Sequence, residues 1–306
     1  MTDPVAVVDC GTNSTRLLVT DGTRDRFRET RITRLGGGVD RTGRLDPAGI
    51  DRTVEVLAAY RDLAAEHGAT TMRAIATSAS RDAANRDEFF ERAGAALGTR
   101  LELLAGDDEA RYAFAGATRD LDPARGPFCV VDLGGGSTEF AVGTERLEKV
   151  LSVDMGSVRF TERYVESDPP LPEELVACLS VAEAHLSDVL REIPEVVETA
   201  TWIGVAGTIT TVAAVEIGLA TYDPDRIHGF ELSRPALEDV YRTLVTESLA
   251  DRVHNPGLQA ERAEVIVGGV AILAQIVRTF GIDPLVVSER DLLDGLAAEL
   301  LDPGHP

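Results

Sequence analysis

The stretch VVDCGTNSTR at residues 7–16 returns, altered, as VVDLGGGSTE at residues 130–139. Val7/Val130, Val8/Val131, Asp9/Asp132, Gly11/Gly134, Ser14/Ser137 and Thr15/Thr138 coincide. Each copy is a β-branched apolar run ending in Asp, a Gly-rich turn with hydroxyls, and a second apolar strand (Leu17 to Val19; Phe140 to Val142). A strand that ends in Asp and turns through Gly brings backbone N–H groups and hydroxyls within reach of phosphate oxygens. Two copies, one per half, predict two related domains facing one polyphosphorylated ligand across a cleft.

Outward from the first copy, the chain reads as a hairpin and a third strand near 26–35, then a polar loop, GGGVDRTGRL (36–45). Asp46-Pro47 opens a helix to about His67, with Ile50, Val54, Leu57, Ala58 and Leu63 at helical spacing. A strand (72–79), a helix (80–97), a short strand (100–104) and a helix from Gly106 to about Ala117 follow. TRDLDPARGP (118–127) is the linker. The second half repeats the plan with strands at 128–132, 138–143 and 147–153, then helices near 156–165 and 172–191. Strand 202–208 enters helix 209–219, and a largely helical tail carries 233–247, 260–280, strand 285–288 and a last helix within 290–304. Strands first and alternating helices after, twice over, predict duplicated α/β domains: 1–124, and 125–289 with 290–304 folding back on the first.

Composition narrows the function. Of the 306 residues, 44% are apolar and 27% charged, as in a globular protein with ample core. No apolar run approaches the roughly 18–20 residues that span a bilayer, and the start MTDPVAVVDC has no basic leader; a cytoplasmic location is expected. The net charge of −22 argues against nucleic acid and membrane surfaces as partners. Eighteen basic residues face twenty-one acids through residue 125, but twelve face thirty-one after it, so a polyanion would prefer the first half. Arg supplies all the basic residues but Lys149, which makes bidentate phosphate forks the main cationic tool. Cys10, Cys129 and Cys178 have no ligand spacing and read as buried small hydrophobes, and the histidines form no zinc cluster.

The candidate site residues follow from the turns. Gly11, Thr12, Asn13 and Ser14 form one phosphate cradle, and Gly134, Gly135, Gly136, Ser137 and Thr138 the other. A hairpin turn alone also suits Asn and Gly, but the recurrence favours the phosphate reading. Asp9 and Asp132, at strand ends, are candidate metal ligands; Glu139 either joins them or lies on an outer face, and Arg16 equally reads as an outer-face residue. Arg81 opens a helix after MRAIATSAS and either forks onto a phosphate or pairs with Asp82 or Asp87 on the surface. Asp107-Asp108-Glu109 caps a helix, and one of the three is a candidate general base. Gly207 and Thr208, at a third Gly turn before a helix, offer N–H groups to phosphate or serve tight packing. His228 reads as a satisfied loop histidine.

With these segments in hand, the chain resembles the exopolyphosphatase/guanosine pentaphosphate phosphatase family, of the superfamily of actin, heat-shock chaperones and sugar kinases. VVDCGTNSTRLLV and VVDLGGGSTEFAVG look like its two phosphate motifs, ATSASRDAANRDEFF like its phosphate-arginine segment, and LLAGDDEARYAFAGA like its Gly-x-Glu-Glu-Ala segment. GVAGTITTVAAV, NPGLQAERAEVIVGGVAIL and VVSERDLLDGLA match later segments. The resemblance implies two ribonuclease H-like (actin-like ATPase) domains around a cleft. It implies Arg81 on phosphate, Glu109 as catalytic base, Asp108 in a supporting place, and Mg²⁺ or Mn²⁺ near Asp132, Glu139 and Asp9. It implies release of orthophosphate from the end of inorganic polyphosphate, and a homodimer. The extra C-terminal domains of longer members have no counterpart among these 306 residues, which suggests a shorter substrate or a dimer-built channel. The alternatives are a pppGpp 5′-phosphatase using the same chemistry, a kinase of the same superfamily, and a non-enzymatic nucleotide-binding actin-like protein.

Overall fold

The computed structural model describes residues 3–302; residues 303 and 304 of the expected last helix lie outside them. The first half runs β1 (Val5–Cys10), β2 (Ser14–Thr20), β3 (Asp25–Ile32), α1 (Val39–Thr42), α2 (Pro47–Glu66), β4 (Thr71–Ala76), α3 (Ser78–Asp82), α4 (Arg86–Leu97), β5 (Leu101–Leu103) and α5 (Gly106–Thr118). The second runs β6 (Phe128–Leu133), β7 (Thr138–Gly143), β8 (Leu147–Val153), α6 (Ser157–Tyr164), α7 (Pro172–Glu192), β9 (Thr201–Val205) and α8 (Ala206–Ile217). It continues through α9 (Pro224–Ile227), β10 (Glu231–Leu232), α10 (Arg234–Thr246), α11 (Leu249–Arg252), α12 (Ile266–Phe280), β11 (Leu285–Val287) and α13 (Leu292–Leu301).

The strands form two sheets of one design. The first has the order β3-β2-β1-β4-β5 and the second β8-β7-β6-β9-β11-β10. In each, an antiparallel meander is followed by a parallel strand beside its first member: β1 with β4, and β6 with β9. This is the duplicated α/β architecture the recurrence predicts.

Side-chain alternation gives each sheet two apolar faces. Ala6, Val8, Leu17 and Val19 pack with Ile50, Leu57, Tyr60 and Phe89 of α2 and α4. Val5, Val7, Leu18 and Ile75 pack instead on Leu292, Leu293 and Leu296 of α13. In the second sheet Cys129, Val131, Phe140 and Val142 face the helices α7, α8 and α12. Its other face, with Phe128, Val130, Ala141 and Ile203, takes Ala110, Ala113, Phe114 and Ala117 of α5. The two inner helices are therefore exchanged: α5 follows the first sheet in the chain yet packs on the second, and α13 comes last yet packs on the first. They also pack against each other. A Cβ at Gly116 would collide with the carbonyl of Asp291, and one at Gly295 with the carbonyl of Tyr112. Only glycine lets these backbones approach so closely.

Three segments differ from the sequence reading. The helix expected over 80–97 is broken into α3 and α4. Between them Ala84 N–H bonds Gly43 O (2.9 Å), and Asn85 bonds both the N–H and the carbonyl of Leu45 (2.8 and 3.1 Å); these bonds draw the backbone out of the helix. Strand β9 stops at Val205 because Ala206 starts α8 with φ of 71°, left-handed for a residue with a Cβ. Helix α12 begins at Ile266, after a 3₁₀ turn at Ala260–Arg262.

Candidate functional site

The turns after β1 and β6 share one hydrogen bond. Gly11 N–H donates to Ser14 O at 2.9 Å, and Gly134 N–H donates to Ser137 O at 3.0 Å. The turns meet across the cleft. A Cβ at Gly135 would lie 2.9 Å from Thr12 Cβ, and one at Gly136 3.0 Å from Thr12 Oγ1. Beside this contact opens a cavity of about 110 Å³, lined by Gly11 to Ser14, Gly134 to Ser137, Asp9, Asp132 and Glu109. Gly207 and Thr208, at the N-terminus of α8, line its far wall.

Glu109 lies in the first turn of α5, where an acid complements the helix dipole. It is buried against the cavity rather than solvated at a cap. Arg81 fixes it: Nη1 donates to Glu109 Oε2 at 2.8 Å and to Leu104 O at 2.9 Å, and Nη2 reaches Ser137 Oγ at 3.4 Å. Arg81 thus joins the base candidate to the second turn. It pairs with neither Asp82 nor Asp87. Burial raises the Glu109 pKa, and the Arg81 charge works against that rise. Asp107 is exposed, and Asp108 pairs with Arg111 at 3.5 Å.

The position after the shared Ser-Thr differs in charge between the copies. On the first sheet Asp9 is the cross-strand partner of Arg16; on the second Asp132 is the cross-strand partner of Glu139. Arg16 donates to Asp9 Oδ2 from Nε (2.9 Å) and Nη2 (2.8 Å), and its Nη1 bonds Asp291. Among the described residues no cation forms an ion pair with either member of the second pair, and Arg16 acts on Asp132 through space alone. Like charges opposite one another in a sheet repel. Burial, then the neighbouring carboxylates beginning with Glu109, push Asp132 and Glu139 well above the ordinary carboxylate range. Glu139 Oε1 accepts from Ser152 at 2.7 Å, but its Oε2 is buried without a hydrogen-bond partner, as is Asp9 Oδ1.

Among the described residues, no three or more His, Cys, Asp or Glu side chains form a ready-made metal cage. The donor set nevertheless fits Mg²⁺, which takes one or two carboxylates and completes its shell with water and phosphate oxygens. Repelling buried acids with orphaned oxygens are what such a cation relieves.

Thr138 stands apart from the other cradle residues. It lies outside the cavity wall, fully buried, with its hydroxyl bonded to Met155 O at 2.5 Å. Strand alternation turns it away from the face that carries Glu139. His228 accepts from Glu289 N–H at 3.3 Å in a loop and does not itself line the cavity. The three cysteines are free and buried.

Several wall residues carried no sequence signal of their own. Arg16 faces inward, bridged by Asp9 and Asp291. Arg262 is half-buried, donates from Nε to Gln259 at 2.9 Å, and lies against Gly207, where a Cβ would strike its guanidinium. Tyr222, Glu289 and Asp291 complete that wall, with Tyr222 Oη bonded to Glu289. The left-handed backbone at Ala206 aims the α8 N-terminus into the cavity.

Comparison with known proteins supplies relatives. Residues 18–303 match the Ppx/GppA phosphatase family. The chain is 42% identical to Exopolyphosphatase 2 of Mycobacterium tuberculosis, across 97% of this chain and 98% of that one. It is 30% identical to a guanosine-5′-triphosphate,3′-diphosphate pyrophosphatase of Aeromonas hydrophila, across 98% of this chain and 60% of that one. Among solved structures, an exopolyphosphatase-like protein superposes with a TM-score of 0.92 at 34% identity, covering 98% of both chains. A Ppx/GppA family member from Aquifex aeolicus superposes with a TM-score of 0.81 at 34% identity, covering 99% of both.

Proposed function

The chain belongs to the Ppx/GppA phosphatase family, and we propose that it is an exopolyphosphatase releasing orthophosphate from the end of inorganic polyphosphate. The observation that carries this reading is Glu109, buried at the cavity where the two glycine turns meet and held by Arg81 at 2.8 Å. The terminal phosphoryl group sits between the turns, its oxygens on the N–H groups of Thr12, Asn13, Gly135 and Gly136 and on the hydroxyls of Thr12, Ser14 and Ser137. Gly207 and Thr208 at the α8 N-terminus, with Arg262, take the anhydride oxygens behind it.

Glu109 accepts a proton from a water molecule as the water oxygen bonds to the terminal phosphorus. The bridging P–O bond breaks, and the shortened chain leaves with its oxygen. A carboxylate whose pKa burial has raised is a stronger proton acceptor than one in water, and the Arg81 charge favours its ionised form against that rise. Arg81 and the backbone N–H groups stabilise charge on the transferred group. Asp132 and Glu139, with Asp9, would hold Mg²⁺ or Mn²⁺, which when bound neutralises non-bridging oxygens.

A pppGpp 5′-phosphatase is the second reading, favoured by the likeness to the Aeromonas pyrophosphatase. Phosphate release from a polyphosphate length series, with pppGpp and ATP alongside, separates the two. Faster turnover of polyphosphate supports the first, and a preference for pppGpp supports the second. Phosphate release from neither would overturn both. A homodimer and a cytoplasmic location complete the proposal; among the described residues no helix is long and apolar enough to cross a membrane.

A further inference from the structure

Beside the second glycine turn, one arginine touches both halves of the molecule. Arg159, in α6, is mostly buried, with 13% of its side chain exposed. Its Nε donates to Gly136 O at 2.7 Å. Its Nη1 donates to Asp40 at 2.5 Å and its Nη2 to Asp82 at 2.5 Å. Gly136 belongs to the second glycine turn, Asp40 to α1, and Asp82 to α3 beside Arg81.

The backbone around it strengthens the arrangement. Ser157 N–H bonds Gly134 O (3.0 Å), and Val158 N–H bonds Gly135 O (2.9 Å). The first turn of α6 is thereby fastened to the second glycine turn. Glu162 accepts from Gly38 N–H at 2.9 Å, and Arg163 holds Asp40 at 2.8 Å. Residues 159, 162 and 163 fall at i, i+3 and i+4, on one face of the helix. That face crosses to the first half.

We propose that Arg159 is a positioning residue: it sets the second glycine turn in register with the helix that carries Arg81, and so fixes where Arg81 and Glu109 stand relative to the phosphate cradle. The geometry supports this over a plain surface ion pair. A solvated pair joins two flexible ends and contributes little. Arg159 instead spends its planar fork on a backbone carbonyl of the cradle and on carboxylates of two separate helices across the cleft. Misplacement of reacting groups by about 1 Å costs on the order of a hundredfold in rate.

The test uses the full chain. Arg159→Ala should keep its melting temperature within a few degrees and show faster amide exchange, without ligand, in residues 78–82 and 134–137. In phosphate release, an arm that rests on the hydrolase reading, kcat should fall about ten- to a hundredfold and exceed any change in KM. Arg159→Lys, which lacks the fork, should recover only part of the loss. Arg191→Ala, at an exposed site in the last turn of α7, should change neither readout. Should Arg159→Ala fail to fold, Asp82→Asn removes one arm alone and should loosen the same two segments. Unchanged exchange in both segments of a folded variant overturns the proposal, whatever the enzyme's substrate proves to be.

Discussion

The two copies of the glycine turn keep their backbone and invert their charge. Each begins with the same Gly-to-Ser hydrogen bond, 2.9 Å in one and 3.0 Å in the other. Each is preceded by an Asp, and each Asp has a cross-strand partner at the equivalent place. In the first copy that partner is Arg16, and the pair is neutralised within the protein. In the second it is Glu139, and two buried carboxylates are left facing one another. The duplicated fold supplied two turns of one backbone, and a single position separates them in charge. The first half sets an arginine against its aspartate, whereas the second sets a glutamate there. The uneven charge of the two halves runs the same way.

The largest expected effect falls on the residue both halves share. Glu109→Gln should bind substrate and lose about 10²–10⁴ in kcat, measured by phosphate release under saturation. Full activity would remove the base from the mechanism and leave the turns as a binding device alone. Next comes the charge division itself. Glu139→Arg copies the first half onto the second; divalent-cation stimulation should disappear, with activity falling on the order of a hundredfold. Equal stimulation in variant and parent would show that the acids of the second copy hold no cation. A smaller loss is expected from steric change. Gly135→Val places a side chain against Thr12, where a Cβ already lies 2.9 Å away, so KM should rise at least severalfold in a protein that still folds. Normal turnover would show that the second turn does not cradle phosphate.

The smallest effect is on stability. Burial raises the Asp132 pKa in the folded protein above the unfolded value of about 3.9. The folded state then binds more protons than the unfolded, so this group costs stability as pH rises through its raised pKa. Without added metal, Asp132→Asn should therefore melt a few degrees above the parent at pH 8, with the difference shrinking toward pH 4. A variant that melts lower at every pH would mean the pair is held by something other than a guest cation.

The sequence made the turns legible because they are local: a strand, an Asp and glycines in one short run. The duplicated sheets followed from the 123-residue recurrence. Glu109 and Arg81 were legible through the family resemblance, and the structure brings them together at the cavity. What stayed hidden is what depends on distant partners. Arg16 read equally as an outer-face residue because one of the two Asp residues that hold it inward lies 275 positions later. Arg159 and Asp40 are 119 positions apart, and neither sits in a motif. The break in the expected helix 80–97 depends on Asn85 finding Leu45, and the inward aim of α8 on a left-handed Ala206 that no propensity would suggest. Thr138 was miscast as a cradle residue because a motif is read along the chain, while a strand sends neighbours to opposite faces.

The exchange of α5 and α13 has a consequence for how the molecule can be taken apart. A polypeptide ended in the exposed segment 119–126 would carry away the wall of the other piece's sheet, and the remaining polypeptide would carry away the wall of the first. Each fragment would leave one apolar face of its sheet bare, and mixed together the two should restore one another, which makes this chain a natural candidate for a split, self-complementing reporter.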